Sequence, residues 1–498
     1  MILRDLLAGT PAVVRGPDDV DIDDIAIHSG RVGRHSVFVA VNGVALDGHD
    51  FLPEAVTRGA AAVIVEDATR VPAPFLGPLV VVPDARKALN HIASRFFGDP
   101  GRRLFCVGIT GTDGKSTVAW MAETVLDACG LPTGVIGTVD HHFREHRWPG
   151  DTTPPPLAMQ HRLRQLVDLG ARAVTLEATS QGLSQSRVGS VPLDVAVFTN
   201  LTRDHLDYHH TLEAYFDAKE RLFTETLAQS PKPSPHAIIN LDTPYGARIR
   251  VPPNATRLTY GRRGSGADLE HEVVALGLDE SVFRFFHGGE RVELRLPMLG
   301  AFNGANALAA VAIGIAAGGD LRSGVEALRA FPGVPGRVQR IGERDGTAVF
   351  VDYAHDPHAL EALLPNVREA MQRERPGGRL VTVFGCGGDR DRGKRPLMLR
   401  AALRESDRVV VTSDNPRGED PAAIAAEILT GLPSPSDERV TVELDRRLAI
   451  ERTLASAAPE DVVLVLGKGH EPYQIVGERR LPYSDLAVID ESLAQRER

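Results

Sequence analysis

The sequence predicts an α/β protein of several domains, each organised on a mainly parallel sheet. Three observations carry this expectation. Short apolar runs rich in Val, Ile and Ala alternate with amphipathic stretches along the 498 residues. Polar clusters recur directly after those runs, where an open α/β sheet binds its ligands. The Gly/Pro-bearing stretches Phe97-Gly98-Asp99-Pro100-Gly101 and Phe331-Pro332-Gly333-Val334-Pro335-Gly336 divide the chain into 1–101, 102–335 and 336–498, all ordinary domain sizes.

In the first segment, residues 36–41, 60–65 and 79–82 read as strands, and 51–58 and 85–97 as helices. Ser29-Gly30-Arg31 reads as a loop ahead of the first of these strands.

The second segment opens on an apolar run, 104–107, followed by Gly108-Ile109-Thr110-Gly111-Thr112-Asp113-Gly114-Lys115-Ser116-Thr117 and a helix predicted over 118–129. Strand, glycine loop, Lys-Ser and helix form the layout of a phosphate-binding loop. Backbone N–H groups curl around phosphate oxygens, Lys115 neutralises a terminal phosphate, and Ser116 can hold Mg2+. The spacing departs from the usual one, because Ile109 stands where a glycine is expected.

Asp151-Thr152-Thr153-Pro154-Pro155-Pro156 is a stiff loop leading to a helix over 157–169. The strand 173–176 ends in Glu177, an acid at a ligand-binding strand end. Another strand, 194–200, opens into Leu201-Thr202-Arg203-Asp204-His205-Leu206-Asp207-Tyr208-His209. His205 and His209 have helical zinc spacing, but no Glu of a metalloprotease motif lies between them and no third ligand is evident. Over 212–223 the residues Leu212, Tyr215, Phe216, Leu222 and Phe223 form an apolar helical stripe that includes Lys219. Most such lysines reach for water, but a buried amine becomes neutral and nucleophilic, able to add CO2. Residues 236–300 read as strand and turn. Asn303 and Asn306, one helical turn apart, suit either a purine edge or helix capping.

In the third segment four strands end in polar clusters. Asp352-Tyr353-Ala354-His355 follows 348–351, and Gly385-Cys386-Gly387-Gly388-Asp389-Arg390-Asp391 follows 379–384. Ser413-Asp414-Asn415-Pro416-Arg417 follows 408–412, and Gly467-Lys468-Gly469-His470-Glu471 follows 461–466. Converging on one sheet rim, this mixture of acids and arginines suits a zwitterion such as an amino acid.

Composition excludes other classes. Hydrophobic residues make up 43% and charged residues 24%, as in ordinary soluble proteins. A net charge of −10 argues against nucleic acid as partner. Three scattered cysteines fit neither a disulfide framework nor a zinc site. The N-terminus is no signal peptide and no apolar run spans a bilayer, so a cytoplasmic protein without membrane insertion is expected.

These motifs together resemble the Mur ligases of peptidoglycan synthesis, most closely their diaminopimelate-adding branch. Val334-Pro335-Gly336-Arg337 belongs to the match as well. The resemblance implies a small α/β UDP-binding domain, a central P-loop ATPase-type domain with a parallel sheet, and a C-terminal Rossmann-like domain. It implies ATP and Mg2+ as cofactors. UDP-N-acetylmuramoyl-L-Ala-D-Glu and a diamino acid would be substrates, joined through an acyl phosphate by an expected monomer. Meso-diaminopimelate is the expected diamino acid. L-lysine or L-ornithine, or a ligase of the folylpolyglutamate synthetase type, are the alternatives.

By the same likeness, Lys115, Glu177, His205 and a carbamylated Lys219 are catalytic, and Ser116, Glu177, His205 and Lys219 serve the metal. Gly111, Thr112, Asp113, Gly114, Lys115, Ser116, Thr117, Asn303, Asn306, Arg337 and Asp352 would hold the nucleotide. Ser29 would touch uridine, and Thr152, Thr153, Thr179, Gln185 and Arg187 the muramoyl dipeptide. Arg390, Asp414, Asn415, Pro416, Arg417, Gly467 and Glu471 would bind the incoming amino acid. The chain departs from the family with Asp113 and Ser116 for the usual Asn and Thr, with Gln181 for a common His, and with His28-Ser29-Gly30-Arg31 for Asp-Ser-Arg.

Overall fold

The computed structural model describes residues 1–43, 46–344, 346–434 and 437–494. Three large sheets follow one another along the chain. The first runs Val13–Arg15, Leu79–Val81, Ala62–Val65, Ser36–Val39, Asp24–Ala26, parallel except for Val13–Arg15. Ser29–Arg31, expected as loop, is a single tight helical turn, and the expected helix over 51–58 is a turn, Gly48–Phe51, leading into Leu52–Thr57.

In the central sheet seven strands form a parallel middle among the described residues. Their order is Leu269–Leu276, Thr256–Arg262, His236–Asn240, Val195–Phe198, Phe105–Thr110, Ala173–Glu177, Thr133–Ile136. Antiparallel strands extend both edges: Ser281–His287 with Glu290–Leu296, and His141–Phe143 with His146–Trp148. Helices cover both faces, which is why the middle strands read as continuous apolar runs. From Phe105–Thr110, Val107 and Ile109 meet the helices Lys115–Ala128, Phe302–Ala316 and Leu321–Leu328, while Cys106 meets Pro156–Asp168 and Leu212–Arg221. The last helix continues as a π-turn, Leu222–Leu227, which extends it past the expected end.

The third sheet runs Gln339–Arg344, Thr347–Asp352, Val462–Leu466, Leu380–Phe384, Arg408–Val411, Val440–Val442, parallel except for the first strand. Because Val462–Leu466 inserts between Thr347–Asp352 and Leu380–Phe384, the ends at Asp352, Gly467 and Gly385 stand side by side. A buried pair ties the end of Val462–Leu466 to the loop after Arg408–Val411. Arg446 lies against Asp485 at 2.6 Å and donates to the carbonyls of Leu466 (2.9 Å) and Ser413 (3.2 Å). No described helix is long and apolar enough to cross a membrane.

The strand His141–Phe143, next to the sheet's edge, is fastened to the helix Lys115–Ala128 by an ion triad whose histidine is buried. His142 bonds Asp140 at 2.6 Å and Glu123 at 2.9 Å. Burial alone would lower its pKa, but the two carboxylates outweigh burial and raise it from 6.5 to about 9. A raised folded-state pKa contributes stability that is complete below pH 6.5 and is lost as pH rises towards 9. Over that range the wild type should lose at most about 3 kcal/mol relative to His142→Gln, read from denaturant midpoints at successive pH values. Parallel pH profiles for the two proteins would refute this role.

Candidate active site

The glycine loop is held open by the neighbouring strand end. Thr199 and Asn200, just beyond Val195–Phe198, reach across to it. The Asn200 Oδ1 accepts from the backbone N–H of Thr112 (3.1 Å) and of Asp113 (2.9 Å), and Thr199 Oγ1 donates to the Asp113 carbonyl at 2.6 Å. A Cβ on Gly111 would lie 1.8 Å from Thr199 Oγ1, and one on Gly114, whose φ is +83°, would lie 2.5 Å from Asn306 Oδ1. The helix begins at Lys115, three residues before its expected start, so Lys115, Ser116 and Thr117 form its first turn and present the positive end of its dipole. Lys115 Nζ folds back onto the carbonyls of Gly111 (3.0 Å) and Thr112 (2.8 Å). Asp113 turns away to meet His358 at 3.5 Å, and that bond raises the His358 pKa.

Around the loop lies a cavity of ≈ 380 Å³ lined by Thr112 to Thr117, Glu177, Thr179, His205, Asn303, Asn306, Arg337 and Asp352. Glu177 is the last residue of its strand and is buried. Its two oxygens accept from the N–H (2.8 Å) and Oγ1 (2.9 Å) of Thr138. Arg337 crosses from the third segment, donates to Ser116 Oγ at 3.2 Å, and lies over the Tyr353 ring at 4.6 Å. Asp352 accepts from the N–H of Val338 and of Ala354, both at 2.7 Å, while burial raises its pKa. Neither asparagine caps its helix. Asn303 Nδ2 donates to the Leu299 carbonyl (2.9 Å) and Asn306 Nδ2 to Asn303 Oδ1 (3.0 Å), which aligns both amides on the cavity wall.

Lys219 is 1% exposed. Its Nζ donates to the Gly111 carbonyl at 2.6 Å and sits 4.2 Å from the Tyr215 ring centre. Burial, with Lys115 nearby, pushes its pKa well down, so the amine tends to the neutral state. The helical spacing of His205 and His209 is not realised. His205 has φ +52° and precedes the short helix Leu206–His209, while His209 is buried against Ser180 Oγ at 2.9 Å. His205 stands half-exposed on the cavity wall, where desolvation lowers its pKa.

A second cavity, of ≈ 780 Å³, shares Gln181, Asp204, His205, Tyr353, His355 and Asp356 with the first. All four strand-end clusters of the third sheet reach it, supplying Tyr353, Gly385, Arg390, Asp414, Asn415, Arg417, Gly467 and Glu471. Lys468, fully buried, donates to Asn415 Oδ1 (3.1 Å) and Glu471 Oε2 (2.9 Å), fixing both. Arg417 donates to the Gly388 carbonyl at 2.9 Å and has no carboxylate partner among the described residues. The nearby Glu419 is taken by Arg395 at 2.8 Å and by the Asp389 N–H at 2.6 Å.

Other expected site residues have different surroundings. Thr152 lines the first cavity. Thr153 is buried, donating to the Glu177 carbonyl (2.7 Å) and accepting from the Thr179 N–H (3.0 Å), so it braces the strand end. Arg187 grips Gln185 Oε1 (2.9 Å) and the Thr153 carbonyl (2.8 Å). Ser29 is buried and donates to Glu54 at 2.6 Å; it lines neither cavity. Pro416 lies between two lining residues without lining the cavity itself. Sequence reasoning assigned no role to Thr138, Asn200, His358 or Lys468. Only Lys468 carried a usable signal, its place in a strand-end cluster.

Three family models match successive parts of the chain. Residues 21–97 match the Mur ligase family catalytic domain, 109–314 the Mur ligase middle domain, and 336–469 the Mur ligase glutamate ligase domain. The UDP-N-acetylmuramoyl-L-alanyl-D-glutamate–2,6-diaminopimelate ligase of Geobacter metallireducens is 42% identical, over 95% of this chain and 94% of its own. That of Geobacillus thermodenitrificans is 40% identical over the full length of both. A solved structure of a ligase of the same name is 31% identical, with a TM-score of 0.72 over 100% of this chain and 99% of its own.

The contact of Gly111 with Thr199 makes a direct prediction. Gly111→Ala should displace the loop and abolish nucleoside triphosphate binding measured by calorimetry, with the circular dichroism spectrum unchanged. Retained binding would show that the close approach is dispensable.

Proposed function

This chain belongs to the Mur ligase family, and from that premise we propose that it joins meso-diaminopimelate to the D-Glu γ-carboxylate of UDP-N-acetylmuramoyl-L-Ala-D-Glu at the expense of ATP. The observation that carries the reading is the junction of the two cavities: a phosphate-type loop and a rim of acids and arginines share the walls formed by Asp204, His205 and Tyr353. An acyl phosphate formed on one side would meet its amine from the other without diffusing. Residues 1–101 would serve the uridine nucleotide, 102–335 ATP, and 336–498 the amino acid.

The γ-carboxylate oxygen attacks the terminal phosphorus of ATP and ADP departs. The amine then attacks the acyl carbon, phosphate leaves with the carboxylate oxygen, and an amide remains. Lys115 would turn from its two carbonyls onto the phosphates, and the helix N-terminus behind it would stabilise the charge that moves between them. Asn303 and Asn306 would offer amides to the adenine edge, with Arg337 and Asp352 beside the rest of the nucleotide. The donor set fits Mg2+. Each Glu177 oxygen takes one hydrogen bond from Thr138 and keeps lone-pair capacity, and Ser116 adds a hydroxyl. His205 is the least typical donor for so hard an ion. Among the described residues no three His, Cys, Asp or Glu side chains form a self-contained cage, which suits an ion held mainly by phosphates and water. When bound, Mg2+ supplies charge neutralisation to the phosphoryl group.

Lys219 would act as a carbamate. Its neutral nitrogen attacks the carbon of CO2, an N–C bond forms as one C=O π bond breaks onto oxygen, one N–H proton leaves to solvent, and a carbamate anion replaces a neutral amine. Lys219→Ala should be nearly inactive, and short added carboxylates should restore part of the activity. The intact wild-type protein should carry the mass of one added CO2. Full activity in the variant would sink the carbamate.

The choice of amino acid rests on Arg417, whose free face suits the distal carboxylate of meso-diaminopimelate. Lysine or ornithine would leave that guanidinium unpaired, a penalty of about 2–5 kcal/mol for a desolvated partner, roughly thirtyfold or more in discrimination. Measuring kcat/KM for the three amino acids on wild type and Arg417→Ala tests both enzyme and residue. The wild type should prefer meso-diaminopimelate and the variant should lose the preference. A wild type that prefers lysine, or that extends a folate substrate with glutamate instead, would contradict the reading.

A further inference from the structure

Residues of the third segment reach both oxygen-bearing side chains offered to Mg2+, Ser116 directly through Arg337 and Glu177 indirectly through Thr138. His470 Nε2 lies 3.1 Å from the Thr138 carbonyl. A carbonyl only accepts, so Nε2 carries the hydrogen and His470 donates. The same Thr138 donates through its N–H and its hydroxyl to the two oxygens of Glu177, at 2.8 and 2.9 Å. A Cβ on Gly137 would lie 2.4 Å from Glu177 Oε1, so the carboxylate is pressed against the backbone of residues 137 and 138 and follows it. On the other side Arg337 donates to Ser116 Oγ at 3.2 Å. The two chains meet at Tyr353, whose ring stands 5.5 Å from that of His470 and 4.6 Å from the Arg337 guanidinium. His470 directly precedes Glu471, which lines the second cavity and accepts from Lys468 and Asn415.

We propose that His470 is a positioning residue that couples the amino-acid cavity to the divalent-cation donors, acting through the Thr138 peptide on Glu177. The inference rests on the ligase reading above. A ligand that settles Glu471 also settles His470, and hence the orientation of the Glu177 carboxylate. The coupling must be reciprocal: amino acid should tighten the cation, and cation should tighten the amino acid.

The test uses the full chain with Mn2+ as a spectroscopic probe and a non-hydrolysable ATP analogue. Free Mn2+ is read by electron paramagnetic resonance, with and without meso-diaminopimelate. In wild type the amino acid should tighten Mn2+ by roughly tenfold, within the usual range of allosteric coupling. In His470→Ala the tightening should fall below about twofold, and His470→Gln, whose amide N–H can donate, should recover part of it. Thr138→Val should weaken Mn2+ with or without amino acid, whereas Thr138→Ser should not. Undiminished tightening in His470→Ala, or none in wild type that binds all three ligands, overturns the inference and leaves the ligase reading standing. A wild type that binds neither the analogue nor the amino acid overturns both.

Discussion

The site depends first on the clamp that Thr199 and Asn200 place on the glycine loop. One side-chain amide oxygen takes two successive backbone N–H groups, and one hydroxyl closes on the next carbonyl. That fixes Gly111 where no side chain fits. It also aims the Gly111 carbonyl so that both Lys115 and Lys219 bond to it, bringing two amines to one oxygen. Two cations so close, one of them buried, are unfavourable as a pair. The conflict is relieved if Lys219 is neutral or is converted to an anion, so the loop's own geometry creates the demand that a carbamate would meet.

Parallel strands do the rest of the positioning. Thr110, Glu177 and Phe198 end adjacent strands of the central sheet, and Asp352, Phe384, Val411 and Leu466 end adjacent strands of the third. Each sheet therefore presents its polar residues along one rim, and the two rims meet at shared cavity walls. Buried ion pairs set the loops between strands. Arg446 with Asp485 ties Ser413 to Leu466, and Arg395 with Glu419 ties the Gly387 carbonyl to the loop that carries Arg417. By occupying Glu419, Arg395 leaves Arg417 free for a ligand.

Much of this was legible in the sequence for a physical reason. Strands covered on both faces read as unbroken apolar runs, so Val462–Leu466 was expected nearly where it lies, and Glu177 followed as a strand-end acid; Phe105–Thr110 was expected only over 104–107, because Gly108, Ile109 and Thr110 read as the start of the glycine loop. Lys219 stood on an apolar stripe and is buried. Very short strands carry no such pattern. Thr133–Ile136 and His141–Phe143 went unseen, and with them Thr138, whose partner His470 lies 332 residues away. Backbone conformation misled at His205, where a positive φ breaks the helix that its spacing to His209 suggested. Arg395 and Arg446 look like solvated charges in the sequence, and nothing local reveals that both are buried.

The central claim is that the two cavities carry out one ligation through an acyl phosphate. Oxygen tracing tests it most directly. UDP-N-acetylmuramoyl-L-Ala-D-Glu labelled with 18O in both γ-carboxylate oxygens is turned over with ATP and meso-diaminopimelate, and the released phosphate is examined by mass spectrometry. The account predicts one labelled oxygen in each phosphate and the other in the new amide carbonyl. Phosphate free of label, with amide formed at the normal rate, would contradict it.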